Sequence, residues 1–180
     1  TSQSFSQATA GEKPTLVSAS DYAVDFDGGD HLSGTQFTFA DEFVIGIKFT
    51  VEDANAANDV IIGDNTSSAN FIRLNDSNTI GIKVSGSQAQ VDVNVATQFQ
   101  NGVTTHLVAT RDSSNVIRYW IDGVLQTNTG TKSGDFLVDS IGVRATDTNF
   151  FSGKIWEVVA YKDLYSKELA TLLSEHLKTI

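Results

Sequence analysis

The chain has 180 residues, enough for one domain with a substantial core, and 40% hydrophobic against 19% charged residues is an ordinary globular balance. A formal net charge of -10 argues against nucleic acid, whose phosphates need Lys/Arg patches; it reads first as solubility, with salt adaptation or cation binding as the sharper alternatives. No cysteine means no disulfide, thiolate zinc site or thiol nucleophile, and no apolar run reaches the ~18 residues of a membrane span, so membrane insertion is not expected.

Residues 1–20, rich in Ser, Thr, Gln and Ala and holding the single proline, Pro14, read as an N-terminal arm. The arm is either flexible or ordered on protein subunits of the same assembly, and Thr15 to Val17 are suited to an edge strand. The rest, 21–180, reads as one β-sandwich. Tyr22, Val24 and Phe26 alternate inward against Ala23, Asp25 and Asp27, and Gly28-Gly29 turns the chain into a return strand from His31-Leu32. Phe43, Ile45, Ile47 and Phe49 share one strand face, opposite Gly46 and Lys48. After the polar loop 52–58, short strands are expected at Val60 to Gly63, Phe71 to Asn75, Thr79 to Val84 and Val91 to Val95, parted by Asn/Asp/Ser/Gly turns.

The segment from His106 to Gln126 is the centre of the pattern. Leu107 and Ala109 lie on one strand; Ile117, Tyr119 and Ile121 alternate on the next; Asp122-Gly123 makes a two-residue hairpin turn. Leu137 to Arg144 and Lys154 to Tyr161 complete the sheets. At the end the period changes: Leu169, Leu172, Leu173, His176 and Leu177 form one helical stripe over about 166–178, with Ser166 as N-cap and Glu168 in the first turn. This helix is expected to dock on the sandwich edge. Short strands with polar turns predict an all-β, two-sheet antiparallel sandwich or barrel.

These residues resemble a known family. Phe26-Asp27-Gly28, the strand at Phe43 to Phe49, THLVATRD, IRYWIDGVL and FFSGKIWEVVAYKDLYSKEL are similar to the laminin-G-like, concanavalin A-like jelly-roll family (the lectin/glucanase fold) over roughly residues 15–178. The last block, with Gly153, Ile155, Glu157, Val158 and Tyr161, resembles the family's closing strand. The resemblance implies a jelly-roll sandwich with one C-terminal α-helix. That fold hosts lectins, glucanases, adhesion modules and virion proteins, so it does not fix function. The opening SQATAGEKPTLV resembles the lead-in of such domains in bacteriophage structural proteins.

The side chains narrow the chemistry. Glycoside hydrolysis needs two carboxylates about 5 to 10 Å apart across a sugar. The paired carboxylates of the glucanase relatives are missing around Glu157, and Asp25 and Asp27 read as solvated, so no catalytic residue is assigned. His31, His106 and His176 follow no nucleophile elbow. Calcium is possible, because hard cations want clustered oxygens and the turns offer Asp27, Asp30, Asp64 and Asp76; the same residues serve equally to make turns. Trp120 and Trp156 are candidates for stacking on glycans or for packing between layers. Phe150 and Phe151, apolar where a loop should be polar, are candidates for partner contact or for folding under the helix.

The resulting expectation is a non-enzymatic interaction module of a larger assembly. It would be a phage-type virion surface protein such as a capsid decoration, tail or fibre protein, with a homo-oligomer among the assemblies to expect. The alternative is a carbohydrate-binding, lectin-like module or adhesin, with calcium as its candidate cofactor. Either would act at a virion surface or outside the cell.

Overall fold

The computed structural model describes residues 4–17, 22–54, 58–86, 90–95 and 99–180. In chain order the first strands are β1 (Phe5–Ser6), β2 (Thr15–Leu16), β3 (Val24–Asp27), β4 (Leu32–Phe39) and β5 (Phe43–Val51). Next come β6 (Asp59–Gly63), β7 (Phe71–Asp76), β8 (Thr79–Lys83), β9 (Val91–Asn94) and β10 (Thr105–Arg111). The last are β11 (Val116–Ile121), β12 (Val124–Leu125), β13 (Gly130–Thr131), β14 (Phe136–Ile141) and β15 (Ser152–Lys162), followed by the helix α1 (Lys167–Thr179).

The strands form two antiparallel sheets. One runs β1-β4-β14-β6-β7-β8-β9, the other β12-β11-β10-β5-β15-β3-β2, with β13 also paired to β11. Period-2 alternation decides which side chains enter between them. Phe43, Ile45, Ile47, Phe49 and Val51 point inward from β5, and Leu107 and Ile121 flank them in register on β10 and β11. Ile72, Leu74, Ile80, Ile82, Val91 and Val93 come from the facing sheet. Phe39, Phe43 and Phe136 pack against one another in edge-on and tilted contacts, with ring centroids 5.6–6.0 Å apart. Each such fully buried side chain contributes about 1.5–3 kcal/mol. The central hairpin turns as its sequence predicts: Asp122 and Gly123 have φ of 49° and 86°, the pair of positive values that a type I′ turn requires.

The polar exception in this core is Arg111, fully buried. Its guanidinium donates to the carbonyls of Asp41 (2.7 Å), Gly134 (2.6 Å) and Phe39 (2.9 Å) and lies 5.1 Å from the Phe43 ring centroid. Burial lowers its pKa, opposed by Asp41 and Asp135, and the three carbonyls tie the β4–β5 turn to the segment that leads into β14.

One expectation is met and two are corrected. The edge strand expected at Thr15 to Val17 is present as Thr15–Leu16, paired with β3 at the end of its sheet; in the same stretch Phe5 pairs with Gly34 on β4, and the Glu12 carbonyl accepts from the His31 N–H. Such pairing satisfies backbone groups that a free arm would leave to water. Residues 1–3 and 18–20 of that stretch lie outside the described residues. Tyr22 does not face inward; it is 77% exposed with φ of 46°, while Ala23 is buried. The helix, finally, lies on the outer face of a sheet instead of its edge. Ala170, Leu173 and Leu177 cover Val44, Val108 and Trp120, leaving Leu172 61% exposed. Gly46 permits this approach, since a Cβ there would stand 2.7 Å from Leu173 Cδ2.

Candidate functional site

A sandwich has two outer faces. The helix closes that of the β5 sheet. On the outer face of the β4–β9 sheet, no helix lies among the described residues, and the strand alternation that sends Ile72, Leu74, Ile80, Ile82, Val91 and Val93 inward sends polar residues out. β7 presents Phe71, Arg73 and Asn75; β8 presents Thr79, Gly81 and Lys83; β9 presents Asp92 and Asn94. Register places Arg73, Gly81 and Asp92 in one row across three strands.

The missing Cβ of Gly81 makes room for a hydrogen-bonded group. A Cβ there would lie 2.8 Å from Asp92 Oδ1 and 3.1 Å from both Asn75 Nδ2 and Gln90 Nε2. Over it, Arg73 Nε donates to Asn75 Oδ1 (2.7 Å), Asn75 Nδ2 donates to Asp92 Oδ1 (2.6 Å), and Gln90 Nε2 donates to Asn75 Oδ1 (3.2 Å). The Arg73 guanidinium stands 4.7 Å from the Phe71 ring centroid, and Arg144 stands 4.8 Å from the same ring. Together they leave Phe71 buried although it sits on an outer face.

Arg144 arrives on the loop between β14 and β15. Ala145, Thr146, Asp147 and Asn149 all have positive φ, between 49° and 59°. The left-handed region costs about 1–2 kcal/mol per L-residue, and a β-branched Thr there is a genuine outlier. The loop is held by Asn65 and Asp64: Ala145 N–H donates to the Asp64 carbonyl, Thr146 N–H to the Asn65 carbonyl, and Asp147 N–H to Asn65 Oδ1. Arg144 Nη2 donates to Asn149 Oδ1 at 2.7 Å, and the Asn149 carbonyl caps the Val60 N–H. Such a conformation persists only where the surrounding bonds over-determine it, as these do. Burial lowers the pKa of both arginines; for Arg73 the Arg144 charge adds to it and Asp92 opposes it.

The residues singled out by sequence go elsewhere. Trp120 is 2% exposed beneath the helix, and Phe151 is fully buried between Phe26 and Phe49, so neither presents a ring to a ligand. Both alternate onto packed faces, which the sequence pattern alone did not separate from open ones. Phe150 is half-buried against His31, ring centroids 6.1 Å apart. Trp156 is half-buried at a bulge in β15, where it lines an apolar cleft of about 450 Å³ between the sheets with Phe5, Phe37 and Val158, and Lys48 Nζ stands 5.7 Å from its ring.

The four aspartates occupy three separate turns. Asp30 Oδ2 accepts from the Asp27 N–H and Asp27 Oδ1 from the Gly29 N–H; Asp64 Oδ1 accepts from the Thr66 N–H and hydroxyl; Asp76 Oδ1 accepts from the Asn78 N–H. Each thus caps its own turn, and among the described residues no group of three or more His, Asp or Glu gathers in metal-binding geometry. Glu157 faces His176 of the helix at 3.2 Å.

Sequence reasoning missed Arg73, Arg144 and their amides, although a signal existed. A glycine inside the strand Thr79–Lys83 marks a close approach, and Phe71, Arg73 and Asn75 alternate outward on the strand beside it.

Compared with family models, residues 16–168 match the one described as the concanavalin A-like lectin/glucanases superfamily. No curated protein matches the chain. Among solved structures it is similar to a Ruminococcus gnavus IT-sialidase CBM40 bound to alpha2,6 sialyllactose, at 13% identity over 85% of this chain and 96% of that one, TM-score 0.60. It is also similar to domain 4 of AbnA, an extracellular arabinanase from Geobacillus stearothermophilus, in complex with arabinotriose (17% identity, 97% and 82% covered, TM-score 0.64). A third is a heptameric SAP-like pentraxin from Limulus polyphemus (10% identity, 84% and 81% covered, TM-score 0.65). At such identities the likeness is one of fold.

Proposed function

The chain belongs to the concanavalin A-like lectin/glucanases superfamily, and from that premise we propose that it is a lectin-like carbohydrate-binding module whose ligand lies on the open face of the β4–β9 sheet. One observation carries the reading: Arg73 and Arg144 on the Phe71 ring, continued by the Asn75–Gln90–Asp92 group over Gly81. Sugars are bound by planar surfaces and by convergent donors and acceptors on a preformed scaffold. Here amides and a carboxylate offer both polarities, guanidinium planes offer flat surface, and strands supply rigidity.

Two of the similar structures hold oligosaccharides, a sialyllactose and an arabinotriose, which supports the glycan reading over the virion-surface one.

The test is calorimetric titration of the protein and its Arg73→Ala variant against a panel of oligosaccharides. The reading predicts saturable binding to at least one, weakened at least about tenfold in the variant, the cost of losing a charge-assisted contact. Binding that Arg73→Ala leaves untouched would contradict it.

A further inference from the structure

We propose that the glycan on this face is an acidic one, held through its carboxylate between Arg73 and Arg144. This rests on the glycan reading above and adds the charge class of the ligand.

The chain's four arginines differ in what they hold. Arg118 is paired with Asp112 in a salt bridge at 2.5 Å. Arg111 is committed to backbone carbonyls inside the core. Arg73 and Arg144 have as hydrogen-bond acceptors only the neutral amide oxygens of Asn75 and Asn149, one each, among the described residues. No salt bridge there involves either. Asp92, the acid whose charge acts on Arg73, has its Oδ1 occupied by the amides of Asn75 and Gln90.

So two guanidiniums share one ring, within about 10 Å of each other; Arg73 is held through Nε and Arg144 through Nη2, which leaves both Nη groups of Arg73 and the Nη1 of Arg144 without an acceptor among the described residues. Arg144 Nε is buried with no hydrogen-bond partner among the described residues. The two like charges repel each other, and an anion held between them relieves that repulsion. The planar fork matches a carboxylate in two-point contact. The Asn75–Gln90–Asp92 group lies beside it, where the hydroxyls of the same sugar would find donors and acceptors. The strained loop supplies a reason for its own conformation, because it brings Arg144 from another part of the chain to the ring that Arg73 already covers.

The experiment uses matched oligosaccharides. Tetragalacturonate is compared with its methyl ester, sialyllactose with lactose, and a sulfated lactose is added, each titrated at low and physiological salt. The expected result is at least tenfold tighter binding of a carboxylate member than of its neutral counterpart. That preference should weaken with salt and be lost in both Arg73→Gln and Arg144→Gln. Arg73→Lys, which keeps the charge and loses the fork, should fall between, with thermal unfolding checking that each variant is folded. Neutral members binding as tightly as their acids, with Asn75→Ala abolishing both, would overturn the acidic preference and leave the glycan reading standing. A preference for the sulfated member would overturn the carboxylate assignment. No binding by any member would overturn the glycan reading as well.

Discussion

Asp59 carries the clearest pH signature of any single residue. Burial pushes its carboxyl up to about 6, Asp53 adds to the rise, and the Ser152 backbone N–H opposes it. The unfolded chain releases that proton near ~3.9, so the folded state binds it more tightly. Its favourable contribution is therefore complete below about pH 4 and is lost as pH rises through about 6. Asp59→Asn removes the titration. Relative to the parent, the variant should gain roughly 2 kcal/mol in urea unfolding between pH 4.5 and pH 7.5. A difference that stays flat across that range would show that Asp59 is not the titrating group. The same logic of local environment explains Gly153. Its φ of 145° and the Thr50 carbonyl, which a Cβ would strike, leave no room for another residue where β3 and β5 flank β15.

At the scale of elements, the helix is the sensitive joint. Leu173 and Leu177 bury themselves on Val44, Val108 and Trp120 only because Gly46 keeps the strand low. Gly46→Val should lower stability by about 1–3 kcal/mol, with the loss measured by denaturant unfolding and a rise in Trp120 exposure seen by fluorescence. An unchanged midpoint would mean that the helix is held by something other than this contact. The strands were legible because a one-residue slip in a period-2 pattern would turn Phe43, Ile45 and Ile47 to the wrong side. The helix was legible from its stripe and from Ser166, whose Oγ accepts from the Leu169 N–H at 2.9 Å. Its direction was not, because Leu172 and Leu173 fit the same pattern and only the seat at Gly46 chooses between them. The same ambiguity put Trp120 among ligand candidates: a strand packed on both faces alternates without showing which face is open. Arg73 and Arg144 are 71 positions apart in sequence, joined by a loop whose conformation no short-range rule encodes.

For the molecule as a whole, the two outer faces divide the work. One is given to α1 and adds to the core; the other is left to Arg73, Arg144, Asn75, Gln90 and Asp92. On the proposed reading the ligand meets a rigid sheet, whose backbone should move little on binding. The most direct measurement is therefore an amide chemical-shift titration with the tightest-binding oligosaccharide of the panel. Perturbations centred on residues 71–75, 81–83, 92–94 and 144–149 are predicted. Perturbations confined to the helix and β15, or to the turn at Asp27–Asp30, would contradict the assignment of this face.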